Sequence, residues 1–147
     1  MKRMIYSLDR AIRTVERLSR RIDAEKRIEA IVSINRGGMV PGRYFSRFLR
    51  VQRVYALGME SYDGVERGNI TIYQDLPPDI QSFRTILLVD DIVDSGSSLN
   101  MAVEHILERG VKKVVTCCLH RKKHHSDIPD YCGGDVEDDV WVVYDWE

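Results

Sequence analysis

Arg84-Thr-Ile-Leu-Leu-Val-Asp-Asp-Ile-Val-Asp-Ser-Gly-Ser-Ser-Leu-Asn-Met101 is the stretch on which the reading of the chain turns. Ile86 to Val89 are consecutive aliphatics with no polar alternation, the pattern of a strand buried on both faces of a parallel sheet. Two carboxylates, Asp90 and Asp91, stand where that strand is expected to end. Asp94-Ser95-Gly96-Ser97-Ser98 follows, and then a helical pattern of Leu99, Ala102, Val103, Ile106 and Leu107, with Gly110 placed as its C-terminal cap. A Ser/Gly loop opening a helix lets backbone N–H groups converge on an anion, and Gly96 lets the chain approach it closely. The flanking acids can accept hydrogen bonds from sugar hydroxyls and hold Mg²⁺. A phosphate cradle beside carboxylates at the C-terminal end of a strand implies a phosphorylated sugar.

The run from Val89 to Ser98 resembles the 5-phosphoribosyl 1-diphosphate (PRPP) binding motif of the type I phosphoribosyltransferases. The family pattern has Thr-Gly-Gly/Lys-Thr in the loop. Here Ser-Gly-Ser-Ser keeps the hydroxyls and the central glycine. The resemblance implies an α/β fold with a mostly parallel sheet flanked by helices and a small C-terminal hood, in a single domain over residues 1–147 with the hood at about 120–147.

Moving outward toward the N-terminus, Ile28 to Ile34 reads as the first central strand, and Asn35-Arg36-Gly37-Gly38-Met39-Val40-Pro41-Gly42 leads into a helical pattern through Leu49. This is a second Gly-rich loop between strand and helix, with Pro41 near the helix start. Two such loops at one end of a sheet suit a substrate with two separate phosphate groups. In the resemblance, Arg36, Gly37 and Gly38 fall on the diphosphate-binding loop, and the wider run is similar to the bacterial xanthine-guanine subgroup. Before this strand, Ser7 is a candidate N-cap for a helix through about Ala24. Its arginines, interleaved with Asp9, Glu16 and Asp23, read as a solvated face.

Residues 51–60 and 70–73 read as strands joined by a Gly-containing hairpin loop. Ser61 and Tyr62 match the opening of the family's mobile catalytic loop, which would close over the substrate and exclude water. Residues 111–119 read as another strand, leading into a basic loop from His120 to His125. The histidines near Cys132 raise a metal site as one reading, with a plain basic loop tip as the other. Lys122 precedes Trp141 by the spacing that, in the xanthine-guanine subgroup, separates a base-binding lysine from a tryptophan. The resemblance therefore implies Lys122, Trp141 and Val142 as the base site, with Lys123 as the register alternative. An ammonium there donates to the 6-oxo group of guanine, xanthine or hypoxanthine and rejects adenine, which offers a donor. Asp145-Trp146-Glu147 is similar to the family's terminal Pro-Trp-Asp, with the proline replaced.

Composition bounds these readings. Lys and Arg number 22 against 23 Asp and Glu, a balance that speaks against a nucleic-acid partner. No apolar run approaches the ~20 residues of a membrane span and no signal peptide is apparent, so stable membrane insertion is not expected. Three cysteines, two of them adjacent, read as reduced thiols in a cytoplasmic protein.

The implied reaction is Mg²⁺-dependent transfer of phosphoribosyl from PRPP to a 6-oxopurine, by a homodimer or homotetramer. Asp94 would be the general base, Asp91 the metal-linked carboxylate and Asp90 the ribose ligand. Arg36, Gly37 and Gly38 would bind diphosphate, while Ser95, Gly96, Ser97 and Ser98 hold the 5′-phosphate. The alternatives are a PRPP-fold regulator that binds nucleic acid, or a transferase for another base such as adenine, orotate or uracil.

Overall fold

The computed structural model describes residues 1–61, 69–124 and 127–147. Its first elements are strand β1 (Lys2–Tyr6), helix α1 (Leu8–Glu25), strand β2 (Ala30–Asn35), helix α2 (Met39–Leu49), strand β3 (Val54–Ser61) and strand β4 (Ile70–Gln74). A 3₁₀ turn at Pro78–Ser82 precedes strand β5 (Thr85–Val93), helix α3 (Ser97–Glu108), strand β6 (Lys113–Lys122), strand β7 (Tyr131–Val136) and strand β8 (Val140–Tyr144). The main sheet has the order β4-β3-β2-β5-β6-β7. Its pairs are parallel except the β3–β4 hairpin.

Burial explains the sheet. Leu87, Val89 and Cys117 pack into one core with Val15, Leu18 and Ile22 of α1 and Phe45 of α2. Their neighbours Leu88, Ile86 and Cys118 pack into a second core with Leu99, Ala102 and Ile106 of α3. Alternate residues of each central strand thus serve opposite layers, so an unbroken apolar run is required rather than alternation. Truncating a fully buried side chain such as Leu88 to alanine costs about 2–5 kcal/mol. Ser7 caps α1 as expected, its hydroxyl accepting from the Arg10 amide at 3.2 Å. Gly110 takes the left-handed conformation after α3, at φ 103°.

Three expectations are corrected. The chain has a strand before its first helix: β1 pairs in parallel with β8, Lys2 opposite Val140 and Tyr6 opposite Tyr144, in a separate two-stranded sheet. The hood is therefore built from both ends of the chain. The organising strand does not stop at the acids: it runs to Val93, because β6 offers a partner ladder beyond them, with Asp90 opposite Cys118 and Ile92 opposite His120. Likewise His120 and Lys122 are not loop residues but the last inward-facing positions of β6, only 6% and 7% exposed. Among the described residues no helix is long and apolar enough to cross a membrane.

Candidate functional site

The sheet order creates the site. From β2 the chain leaves through α2 toward β3, and from β5 it leaves through α3 toward β6, on the other side. Adjacent strands whose crossovers diverge leave a crevice beyond their C-terminal ends, where α/β sheets bind ligands. The two Gly-containing loops, Arg36-Gly37-Gly38 and Asp94 to Ser98, border that crevice.

On the β2 side the Asn35–Arg36 peptide is cis. The Gly38 amide is consumed by the Ile34 carbonyl at 2.8 Å, so it is unavailable to an anion, against expectation; the Gly37 amide has no partner among the described residues. Glycine is needed at both positions for space. A Cβ on Gly37 would overlap the Asp91 carboxylate, and one on Gly38 would overlap the Val89 carbonyl.

On the β5 side, Gly96 adopts φ 85° as the residue before α3, a conformation that disfavours other side chains. Ser95 Oγ accepts from the Ser97 amide at 3.2 Å and donates to or accepts from Ser97 Oγ at 3.1 Å. The amides of Ser98 and Leu99 have no partner among the described residues and stand at the positive end of the helix dipole. Asp90, Asp94, Ser95, Gly96 and Ser98 line a cavity of about 120 Å³ there.

The strand's alternation separates the two acids. Asp90 faces the serine loop, whereas Asp91 lines a second cavity of about 320 Å³ with Arg36, Gly37, Trp146 and Glu147. Burial, and then the neighbouring Asp91 charge, hold the Asp90 carboxyl well above the usual range. Burial also raises Asp91, against hydrogen bonds from Asp90 and the Ile92 amide, the latter at 2.7 Å. Glu147 is raised by burial and by Asp91, with Arg36 opposing. Asn35 Oδ1 and Trp146 Nε1 are buried without a hydrogen-bond partner among the described residues, as in a site that a ligand completes. Glu147 was not assigned a role from sequence: an acid at position 147 carries no spacing signal, and only the fold brings it to Asp91.

Asp94 is exposed at the mouth of the serine loop, with His124 Nε2 4.0 Å from its carboxylate. His124 Nδ1 also contacts Asp138 Oδ1 at 2.7 Å. His120 Nδ1 lies 2.8 Å from the Tyr144 hydroxyl, so the two histidines serve separate partners. Cys132 Sγ lies 3.3 Å from the Gly134 carbonyl. His125 and Tyr62 lie outside the described residues.

Lys122 reaches the turn between β7 and β8, and Trp141 and Val142 follow that turn in β8. The Lys122 ammonium donates to the carbonyls of Asp138 at 3.3 Å, Glu137 at 3.5 Å and, most closely, Val140. It is therefore fully engaged rather than a free donor at a loop tip. Lys123 faces outward and pairs with Glu137, which places Lys122, not its neighbour, toward the hood. Trp141 is 57% exposed, while the Val142 side chain is core, leaving only its main chain for a base. Ser61 ends β3, exposed, opposite Ile70.

A family model described as the phosphoribosyl transferase domain matches residues 2–145. The xanthine-guanine phosphoribosyltransferase of Idiomarina loihiensis is 27% identical over 136 residues, 92% of this chain and 81% of that protein. The crystal structure of a purine phosphoribosyltransferase from Pyrococcus horikoshii superposes with a TM-score of 0.86 at 25% identity, covering 100% of this chain and 95% of that one. The Helicobacter pylori xanthine-guanine-hypoxanthine phosphoribosyltransferase gives 0.85 at 26% identity, covering 99% and 94%. The two Gly-containing loops at one crevice, the carboxylates of β5 beside them and the family match over residues 2–145 lead to one assignment: the chain belongs to the phosphoribosyltransferase family.

Proposed function

We propose that this chain transfers the 5-phosphoribosyl group of PRPP to a 6-oxopurine, releasing diphosphate and the nucleoside 5′-monophosphate. The observation that carries this reading is the pair of anion loops flanking one crevice, with Asp90 and Asp91 in separate cavities between them. The serine loop holds the 5′-phosphate through the Ser98 and Leu99 amides and the loop hydroxyls. Asp90 accepts from the ribose hydroxyls. Arg36 and the Gly37 amide take the diphosphate, whose charge grows as the C1–O bond breaks. Purine N9 forms the new bond at C1, and Asp94 accepts the proton from N7.

Asp91 and Glu147 would hold Mg²⁺: Asp91 is raised in pKa by burial and Glu147 by burial and then by the Asp91 charge, and a divalent cation between them would relieve both. When bound, the ion supplies countercharge to the diphosphate. Lys122 reads O6, exchanging a backbone carbonyl of the 137–140 turn for the base oxygen. Trp141 covers the purine face, a contact worth roughly 1 kcal/mol beyond burial. A cytoplasmic location and a homodimer or homotetramer belong to the same reading; sedimentation checks the latter.

The test is diphosphate release with PRPP and Mg²⁺, offering guanine, xanthine, hypoxanthine, adenine, orotate and uracil separately. Turnover with a 6-oxopurine and none with adenine is expected. Turnover only with adenine or a pyrimidine would overturn the base site, and silence with all six would overturn the reaction.

A further inference from the structure

A cavity of about 460 Å³, larger than either described above, opens between α1 and β7, away from the crevice. Arg10, Arg13 and Arg17 line it from one stripe of α1, facing Gly134 and Asp135 across it, with His120 among its lining residues. At positions i, i+3 and i+7 the guanidiniums spread along about 10 Å of helix. No carboxylate among the described residues lies within ion-pair distance of any of them. Arg17 Nη2 donates to the Gly133 carbonyl at 2.8 Å, and the Arg10 guanidinium lies 4.6 Å from the Tyr6 ring centroid. The lining acid, Asp135, is already held by Arg121, through Nε at 3.0 Å and Nη2 at 2.9 Å.

All three arginines are exposed, and Asp9 and Glu16 stand four and three residues from Arg13 on the helix, yet Glu16 pairs with Arg20 instead. Arg10 with Arg13, and Arg13 with Arg17, are like-charge neighbours on the helix, which repel. Arg10 also stands in the first turn, where the helix dipole disfavours a cation. Local rules broken together at the rim of a cavity mark a site whose stabilising partner is a ligand. Asp135 is the one acid of the lining and Arg121 holds it; His120 is kept neutral, its pKa pushed down to about 4 by burial and by Arg10. Beside Gly134 the space is open, since a Cβ there would meet nothing within 4 Å.

We propose that this groove is a second anion site, separate from the PRPP crevice, that binds an oligophosphate chain, either free polyphosphate or the triphosphate of a nucleotide. Guanidiniums spread over two helical turns suit linked phosphates rather than a single one, and each can donate two parallel hydrogen bonds.

Calorimetric titration of the full chain at low salt, without divalent cations, tests this with inorganic tripolyphosphate and, separately, ATP. The wild type is expected to take up two equivalents of tripolyphosphate, one in the crevice, spanning the serine-loop cradle and the Arg36 loop, and one in the groove. Ser98→Asp should abolish the first and spare the second. The double variant Arg10→Gln/Arg13→Gln should weaken the second at least about tenfold and leave phosphoribosyl transfer unchanged. Gly134→Glu, which places a carboxylate among the guanidiniums without touching α1, should do the same. Equal binding of ATP and tripolyphosphate at the groove assigns the phosphate chain alone, and tighter ATP assigns a nucleotide. A single equivalent lost in Ser98→Asp, or a second equivalent unmoved by both groove variants, overturns the proposal.

Discussion

Acidification acts on His120 in a way that can be worked through. The ring is 6% exposed, packed edge-on against Tyr6 at 4.5 Å between centroids and hydrogen-bonded to Tyr144. Burial first, and Arg10 second, lower its pKa from 6.5 to about 4. The unfolded chain therefore takes up this proton near its ordinary pKa, while the folded chain refuses it until about 4. The contribution of His120 is intact above about pH 6.5 and is lost as pH falls toward 4. At 1.36 kcal/mol per tenfold change in proton affinity, the loss approaches about 3 kcal/mol. Asp90 and Asp91 work in the opposite sense: their raised values favour the folded state as they protonate. A bare pH profile would mix the two. Urea unfolding of the wild type and His120→Asn at matched pH separates them, because the carboxylates are common to both. The wild-type advantage should shrink by about 1.2 kcal/mol between neutral pH and pH 5.5, and by about 2.4 kcal/mol at pH 4.5. A difference that stays constant across that range would refute the buried, neutral imidazole.

Four further outcomes are expected. Gly37→Ala displaces only the end of the Asp91 side chain, so activity should fall with little change in melting temperature. Gly38→Ala meets backbone at Val89 and should lower stability itself by about 1–3 kcal/mol, read by thermal unfolding. Lys122→Met leaves three backbone carbonyls without their donor and should cost about 2–4 kcal/mol, while the rate ratio of guanine to adenine collapses in base competition. Asp94→Asn, at an exposed site, should keep the fold and PRPP affinity but slow turnover by about 10²- to 10⁴-fold; an equal loss in PRPP binding, measured by calorimetry, would remove its role as base.

The parts of the molecule legible in the sequence are those whose physics is local. The apolar run at 86–89, the small residues that open α3 and the glycines after β2 each state their conformation within a few residues. What escaped depends on distant partners. In β1 only Tyr6 is buried and Ile5 is 72% exposed, so no periodicity marks a strand; its ladder comes from β8 at the other end of the chain. Asp90 and Asp91 look like strand terminators because isolated acids favour water, yet β6 pairs alongside them. In the basic run from His120 the fold imposes a period of two, inward at His120 and Lys122 and more exposed at Arg121 and Lys123, but four basic residues in a row show no apolar alternation from which to read it. The spacing to Trp141 distinguishes Lys122 from Lys123, and the fold distinguishes them too, with Lys122 turned to the 137–140 carbonyls and Lys123 to the Glu137 side chain.

The pairing of β1 with β8 also has a consequence in time. Lys2 can meet Val140 only after nearly all the intervening chain has emerged, so this ladder carries the longest loop closure in the molecule. The two Gly-containing loops, by contrast, are framed by β2, β5 and the crossovers beside them. During synthesis the crevice proposed to hold the phosphates can therefore assemble while Trp141 is still unmade, and the β8 strand closes last. In a refolding experiment, protection of the β5 amides should precede protection of the β8 amides, making the segment proposed to read the base the final one to be put in place.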